Sequence, residues 1–215
     1  MLIKWFGQSC FLITSRSGTK ILVDPFDKKI GYPLPTVEAD IVTTSHNHSD
    51  HNNVSIVRGR YKHLDKPGKY VEKGIDITAV STFHDKKGGA SRGTNIVFKY
   101  TLDNIKICHC GDLGHTLTRE QLEKIGAVDI LLLPVGGLFT INASMAVEVL
   151  EQLKPTITIP MHYRTKAMGL MGLLFSPVDK FLSLSNRATI TMKDLTLTKE
   201  DLESYRGIVV LDYST

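Results

Sequence analysis

The sequence contains no run approaching ~18 consecutive apolar residues, and its opening MLIKWFGQSC lacks the long apolar core of a signal peptide, so neither a membrane span nor export is expected. Cysteine is scarce. Cys10, Cys108 and Cys110 make an odd count, and Cys108 and Cys110 stand too close for an unstrained mutual bridge. No disulfide framework is expected, and a reducing, cytoplasmic compartment fits best. The C-x-C pair has no second cysteine pair to complete a zinc tetrahedron and reads as small buried side chains. No Pro/Ser-rich linker, low-complexity tract or repeat of solenoid length interrupts the 215 residues, so residues 1–215 read as one domain. Neither sign of charge dominates. Twenty-six basic against 22 acidic residues leave a formal +4, compatible with an anionic small-molecule substrate and far below what marks a nucleic-acid protein.

What the sequence does have is SHNHSDHNN, residues 45–53. Three histidines and one aspartate occupy the six positions from His46 to His51, directly after the apolar ADIVTT. Both residue types are poor strand formers and costly in a core, so they are wanted for their lone pairs. His46 and His48 are two apart and point the same way from extended backbone. Asp50 and His51 follow a turn and can address a neighbouring point, so the cluster suits two adjacent metal positions. Imidazole with carboxylate is a donor set for Zn²⁺, Mn²⁺ or Fe.

Further donors stand at the ends of other apolar runs. His84 closes TAVSTFH, Asp112 closes IKICHCGD with two oxygens able to bridge two metals, and His162 closes TITIPMH. LIKWF, CFLIT and KILVDP read as a strand meander, and TNIVFKY with NIKICHCGD as a hairpin about Leu102-Asp103-Asn104. Helices are expected from Thr118 with a Gln121 capping box, and from Asn142 to the stop at Pro155. Two more are expected, one from Ser176 with Pro177 in the first helical position and one from Thr198.

HNHSDH resembles the H-x-H-x-D-H signature of the metallo-β-lactamase superfamily, and His84, the Gly111-Asp112 pair and His162 follow in that family's order. HCGDLGH, LLLPVGGLFTINA and IPMHY are similar to its small bacterial Zn-dependent hydrolase branch, close to lactonases of sugar-acid phosphates. The resemblance covers essentially the whole chain and implies an α/β fold, a four-layered αββα sandwich, with a dinuclear site at its edge. It implies that His46, His48 and His84 hold one metal, that Asp50, His51 and His162 hold the other, and that Asp112 bridges them. The ions would be zinc, with manganese or iron as alternatives. It also suggests that Asp24 in LVDP orients a ligand, although capping the turn at Pro25 is an equal reading of the sequence. His109 and His115 flank Asp112 and are expected behind the ligands or along the pocket. His63, in a lysine-rich loop, is expected to be solvated.

Charge bookkeeping gives the chemistry. Two divalent ions less Asp50, Asp112 and a bridging hydroxide leave about +1, which attracts anions. Metal lowers the pKa of water from 15.7 toward about 7, so hydroxide is available at neutral pH. Metal-assisted hydrolysis follows, with Asp50 and Asp112 as the catalytic carboxylates and lactone or other ester cleavage ahead of phosphodiester cleavage. KKGGASRG, residues 86–93, could offer backbone N–H groups and Arg92 to an anion, and Arg164 and Lys166 could extend that pocket. AMGLMGLLF, residues 167–175, suits a lip over the cleft or a contact within a homo-oligomer, with plain core packing the simplest reading. Three rivals remain. A diiron oxidoreductase of related fold usually carries glutamate where His48 stands, together with a flavin domain. A nuclease would need more aromatic character than Tyr61 supplies in the basic residues 58–69. A non-catalytic metal-binding protein would bind two ions and hydrolyse nothing.

Overall fold

Alternation along the opening meander sorts its side chains. β1 (Leu2–Gly7), β2 (Cys10–Thr14) and β3 (Lys20–Val23) pair antiparallel in order. Ile3, Trp5, Phe11, Ile13, Ile21 and Val23 enter one core, while Cys10 and Leu22 enter a second on the opposite face. The structure, a computed structural model, describes residues 1–214. The chain continues through β4 (Val37–Glu38), β5 (Ile41–Thr43), β6 (Val57–Arg58), β7 (Lys62–Leu64), β8 (Gly68–Glu72), β9 (Ile75–Phe83), β10 (Thr94–Leu102) and β11 (Ile105–His109). There follow α1 (Arg119–Ile125), β12 (Ile130–Pro134), α2 (Ala143–Leu153), β13 (Ile157–Met161), α3 (Val178–Ser185), β14 (Thr189–Met192), β15 (Leu195–Thr196) and β16 (Gly207–Leu211).

The strands form a six-stranded sheet ordered β15-β1-β2-β3-β5-β7, an eight-stranded sheet ordered β14-β16-β13-β12-β11-β10-β9-β8, and a small β4-β6 pair. The two large sheets share the first core. α1 packs on β9, and α2 packs on β12 and α3, so the helices cover the eight-stranded sheet. The outer face of the six-stranded sheet, with Cys10, Leu22 and Val42, is covered by Phe26, Ile30, Tyr32, Val37 and Met168. That layer of the αββα sandwich is therefore built from short 3₁₀ turns and loops rather than a long helix.

Local signals hold in most places. Asp103 and Asn104 take φ values of 52° and 61°, the paired left-handed residues of a type I′ hairpin between β10 and β11. α1 carries the Thr118–Gln121 capping box, and Asn142 caps α2 through the Met145 N–H. Two helices differ. α3 starts one residue late, with Pro177 as its cap, because Ser176 is held by backbone bonds to Gly136 and Arg164. The segment from Thr198 makes no α-helix. The Thr198 hydroxyl and N–H both engage the Asp201 carboxylate, closing a turn that leaves only Leu202–Tyr205 coiled. Among the described residues no single helix is long and apolar enough to cross a membrane.

Candidate metal centre

Strand ends bring the donors together. β3 and β5 run parallel, β11, β12 and β13 run parallel, and β9 runs with β11 because both are antiparallel to β10. Asp24 follows β3, His46 to His51 follow β5, His84 follows β9, Asp112 follows β11 and His162 follows β13. Carboxyl ends of parallel strands are where open α/β sheets bind ligands.

The donors fall into two groups, His46-His48-His84 and Asp50-His51-Asp112-His162, with donor atoms in each within 4.8 Å of one another. Asp112 faces both groups. Its Oδ2 lies 3.2 Å from His84 Nε2 and 3.9 Å from His46 Nε2, and its Oδ1 lies 3.2 Å from His51 Nε2 and 3.4 Å from His162 Nε2. His46 Nε2 and His48 Nδ1 are 3.0 Å apart, and Asp50 Oδ2 is 3.4 Å from His51 Nε2. His51 Nε2 and Asp112 Oδ1 are buried with no hydrogen-bond partner, a rare condition for buried polar atoms. Nitrogen and carboxylate lone pairs converging in this way fit divalent ions such as Zn²⁺, Mn²⁺ or Fe²⁺.

The rings are aimed by what lies behind them. Asp24 is fully buried and accepts from the Ser45 N–H at 2.7 Å, the Ser45 hydroxyl at 2.6 Å and His51 Nδ1 at 2.8 Å. Its bonds run to these groups rather than to the turn at Pro25. A carboxylate only accepts, so His51 keeps a proton on Nδ1 and turns Nε2 toward Asp112. The Ser45 hydroxyl, having donated to Asp24, accepts from His46 Nδ1 at 2.9 Å and so turns His46 Nε2 toward His48 and Asp112. His84 Nδ1 donates to the Phe139 carbonyl at 3.1 Å.

His109 and His115 hold backbone instead. His109 Nε2 donates to the Ser9 carbonyl while its Nδ1 accepts from the Gly111 N–H, next to Asp112. His115 Nδ1 donates to the Thr116 carbonyl while its Nε2 accepts from the Phe83 N–H, next to His84. His63 is not free in solvent: it lies on β7 with Nε2 3.0 Å from Thr44 Oγ1. Sequence reasoning missed Gln8, Ser45 and Phe139. Gln8 sits buried in the β1–β2 turn at a φ of 51° and donates its side-chain amide to Asp50 Oδ2 at 3.0 Å. Ser45 abuts the cluster and could have been suspected, whereas Gln8 and Phe139 carry no local signal.

The charges are mutually set. Burial, helped by the charge of His51, pushes His46 down to about 3, so its imidazole is neutral. Burial would raise Asp24, Asp50 and Asp112, but His51 and the other imidazoles outweigh it and hold all three below the usual carboxylate range. His51 is the reverse case. Burial opposes its charge, yet Asp112 and Asp50 push its pKa well above the ordinary value. The cluster thus draws positive charge to its centre, and a cation answers the same attraction.

His48, Asp50, His84, Asp112 and His162 floor a cleft of about 540 Å³ whose rim includes Lys29, Arg92, Leu138, Phe139, Met171, Leu174 and Phe175. The Arg92 guanidinium stacks 3.1 Å from the Phe139 ring centroid. Its loop corrects one expectation: the N–H groups of Lys87, Gly89, Ser91 and Arg92 all donate to the Asp85 carboxylate and are closed to an anionic ligand. Arg164 is a second correction. Its Nε donates to the carbonyls of Gly172 and Phe175 at 3.0 Å and its Nη2 to that of Leu173 at 3.1 Å, so it clamps the following segment instead of facing the cleft. Lys166 also lies outside the cleft. In residues 167–175 Met168, Gly172 and Phe175 are buried and Ala167 packs partly against the same core, while Leu170, Leu173 and Leu174 are exposed. Met171 and Leu174 make a lip. All three cysteines are free and buried, and none joins a donor group among the described residues.

Residues 2–162 match the beta-lactamase superfamily domain, a span that ends on the last donor, His162. The chain is 29% identical to a UPF0173 metal-dependent hydrolase of Archaeoglobus fulgidus, covering 77% of this chain and 84% of that protein. It is 33% identical to another from Thermoplasma volcanium, covering 76% and 83%. Among solved structures it is similar to a Thermotoga maritima protein described as a Zn-dependent hydrolase of the metallo-beta-lactamase superfamily, with 40% identity, 98% and 97% coverage and a TM-score of 0.82.

Proposed function

We propose, from the premise that this chain belongs to the metallo-β-lactamase superfamily and is a metal-dependent hydrolase, that its centre is dinuclear and cleaves an ester-type bond, foremost a lactone, in a small anionic substrate. The observation that carries this reading is Asp112, which turns one carboxylate oxygen to each group of donors. His46, His48 and His84 would hold one ion and Asp50, His51 and His162 the other, with Asp112 shared between the two groups. Two divalent ions bound there would supply Lewis acidity and a water-derived nucleophile at neutral pH. In the net reaction the oxygen of water joins the acyl carbon, the acyl–oxygen bond breaks and the departing alkoxide takes a proton.

The chain's own residues hold that arrangement. Asp24 aims His51 directly and His46 through Ser45, and Gln8 fixes Asp50. His109 and His115 pin the backbone beside Asp112 and His84. Arg92, on the rim and stacked on Phe139, meets the anionic group of the substrate.

Chelator-stripped protein is expected to be inactive, and separate reconstitution with Zn²⁺, Mn²⁺ and Fe²⁺ should restore hydrolysis with about two ions per chain. A panel of lactones, thioesters and phosphodiesters checks the reading, with lactones turned over fastest. Two bound ions without turnover of any member would make the protein a metal-binding structure. Phosphodiester cleavage with salt-sensitive RNA binding would make it a nuclease. Arg92→Ala should raise KM for an anionic lactone about tenfold or more with little change in kcat, as loss of a ground-state contact does. Steady-state kinetics decide this, and an unchanged KM would remove Arg92 from the substrate site.

A further inference from the structure

We propose that the mouth of this cleft is a subsite for an apolar acyl group, so that the substrate is an ester, lactone or thioester bearing a hydrocarbon or aromatic substituent on its acyl side; this rests on the hydrolase reading above and deepens it. Leu138 and Phe139 take φ values of 46° and 73°, a left-handed pair that costs large side chains strain and persists where surrounding structure over-determines it. The turn is tied to the centre through the Phe139 carbonyl, which accepts from His84. Leu138 packs partly against the second core, but Phe139 does not hide: it is 55% exposed, and Leu174, which also lines the cleft, is 63% exposed.

The opposite wall is equally fixed. Arg164 engages the carbonyls of Gly172, Leu173 and Phe175, which holds the exposed Met171 and Leu174 at the cleft, while Phe175, itself packed in the second core, also lines it. The Phe175 ring lies 5.2 Å from that of His162. Two apolar walls, one strained and one clamped, thus lead down to Asp112 and His162. The volume of about 540 Å³ suits a small molecule, within the range of roughly 300–1,000 Å³ usual for such sites, better than the face of another protein. Leu170, 86% exposed on the same segment, does not line the cleft and serves as a control.

The test is a homologous series from p-nitrophenyl acetate to p-nitrophenyl octanoate on zinc-reconstituted enzyme, with calorimetric binding of acetate and octanoate in parallel. Each methylene that is fully buried gives roughly fourfold, and partial cover of the longer chain should raise kcat/KM at least about thirtyfold from acetate to octanoate. Octanoate should bind more tightly than acetate by a similar factor. Leu174→Ser and Met171→Ser should flatten both ratios to about threefold or less, while Leu170→Ser keeps them. A flat profile in the wild type, or Leu170→Ser acting like Leu174→Ser, would overturn the subsite. So would a dimer in the wild type that Leu174→Ser dissociates without changing the profile, since the lip would then be a subunit contact. Absence of turnover throughout the series would count against the hydrolase reading alone, and the octanoate-to-acetate binding ratio would still decide the subsite.

Discussion

Asp112→Asn is expected to lower kcat/KM for ester hydrolysis at least about 10³-fold and to cut bound divalent metal from two ions per chain to one or none. The substitution keeps the shape of the side chain and removes its charge. An amide offers one acceptor and one donor, whereas Asp112 turns an accepting oxygen to each group, with His84 on one side and His51 and His162 on the other. Whichever group meets the amide nitrogen loses its ligand, and the other keeps only a neutral oxygen. The loss of charge also removes a strong hold on the proton of His51, which Asp112 raises more than any other neighbour does. Metal analysis of the dialysed variant, beside steady-state kinetics, reads both effects. A variant that retains two ions and activity within tenfold of the wild type would show that Asp112 does not span the centre.

Asp24→Ala should act at a distance from the metals. It leaves the Ser45 N–H, the Ser45 hydroxyl and His51 Nδ1 without their acceptor in a site closed to water. Removing one partner of such a buried, charged network costs about 3–5 kcal/mol, visible as a lower urea midpoint for the metal-free protein. With His51 and His46 no longer aimed, divalent-metal affinity should fall roughly 10–100-fold in a chelator-competition titration. Unfolding measured without metal separates the two effects. Wild-type affinity in a destabilised variant would confine Asp24 to a structural role.

The donors were legible because packing has no use for them. HNHSDH puts costly polar residues directly behind an apolar strand, and His84, Asp112 and His162 each stand where another strand stops. Spacing alone could separate His46 and His48 from Asp50 and His51, but the pairing of each with partners 36 to 112 positions away is a product of the sheets. The cations were read less well. Arg164, two residues past a donor, looks like an anion contact by proximity in sequence, yet its guanidinium finds carbonyls eight to eleven residues downstream. The glycine-rich loop looked open to an anion because nothing local shows that Asp85 gathers four of its N–H groups. The leucines after His162 read as core, since exposure of an apolar side chain is decided by what the rest of the chain brings over it, and here Arg164 holds the segment at the cleft.

The donors hang from the last residues of strands drawn from both sheets, reaching from His46 to His162. A nascent chain that has emerged only through β8 already carries His46, His48, Asp50 and His51 but no opposing wall, and it stays incomplete until β13 has been laid beside β12. Such long-range closure comes late in assembly. A divalent metal would therefore be gripped only by a nearly finished scaffold rather than serve as the seed around which it forms.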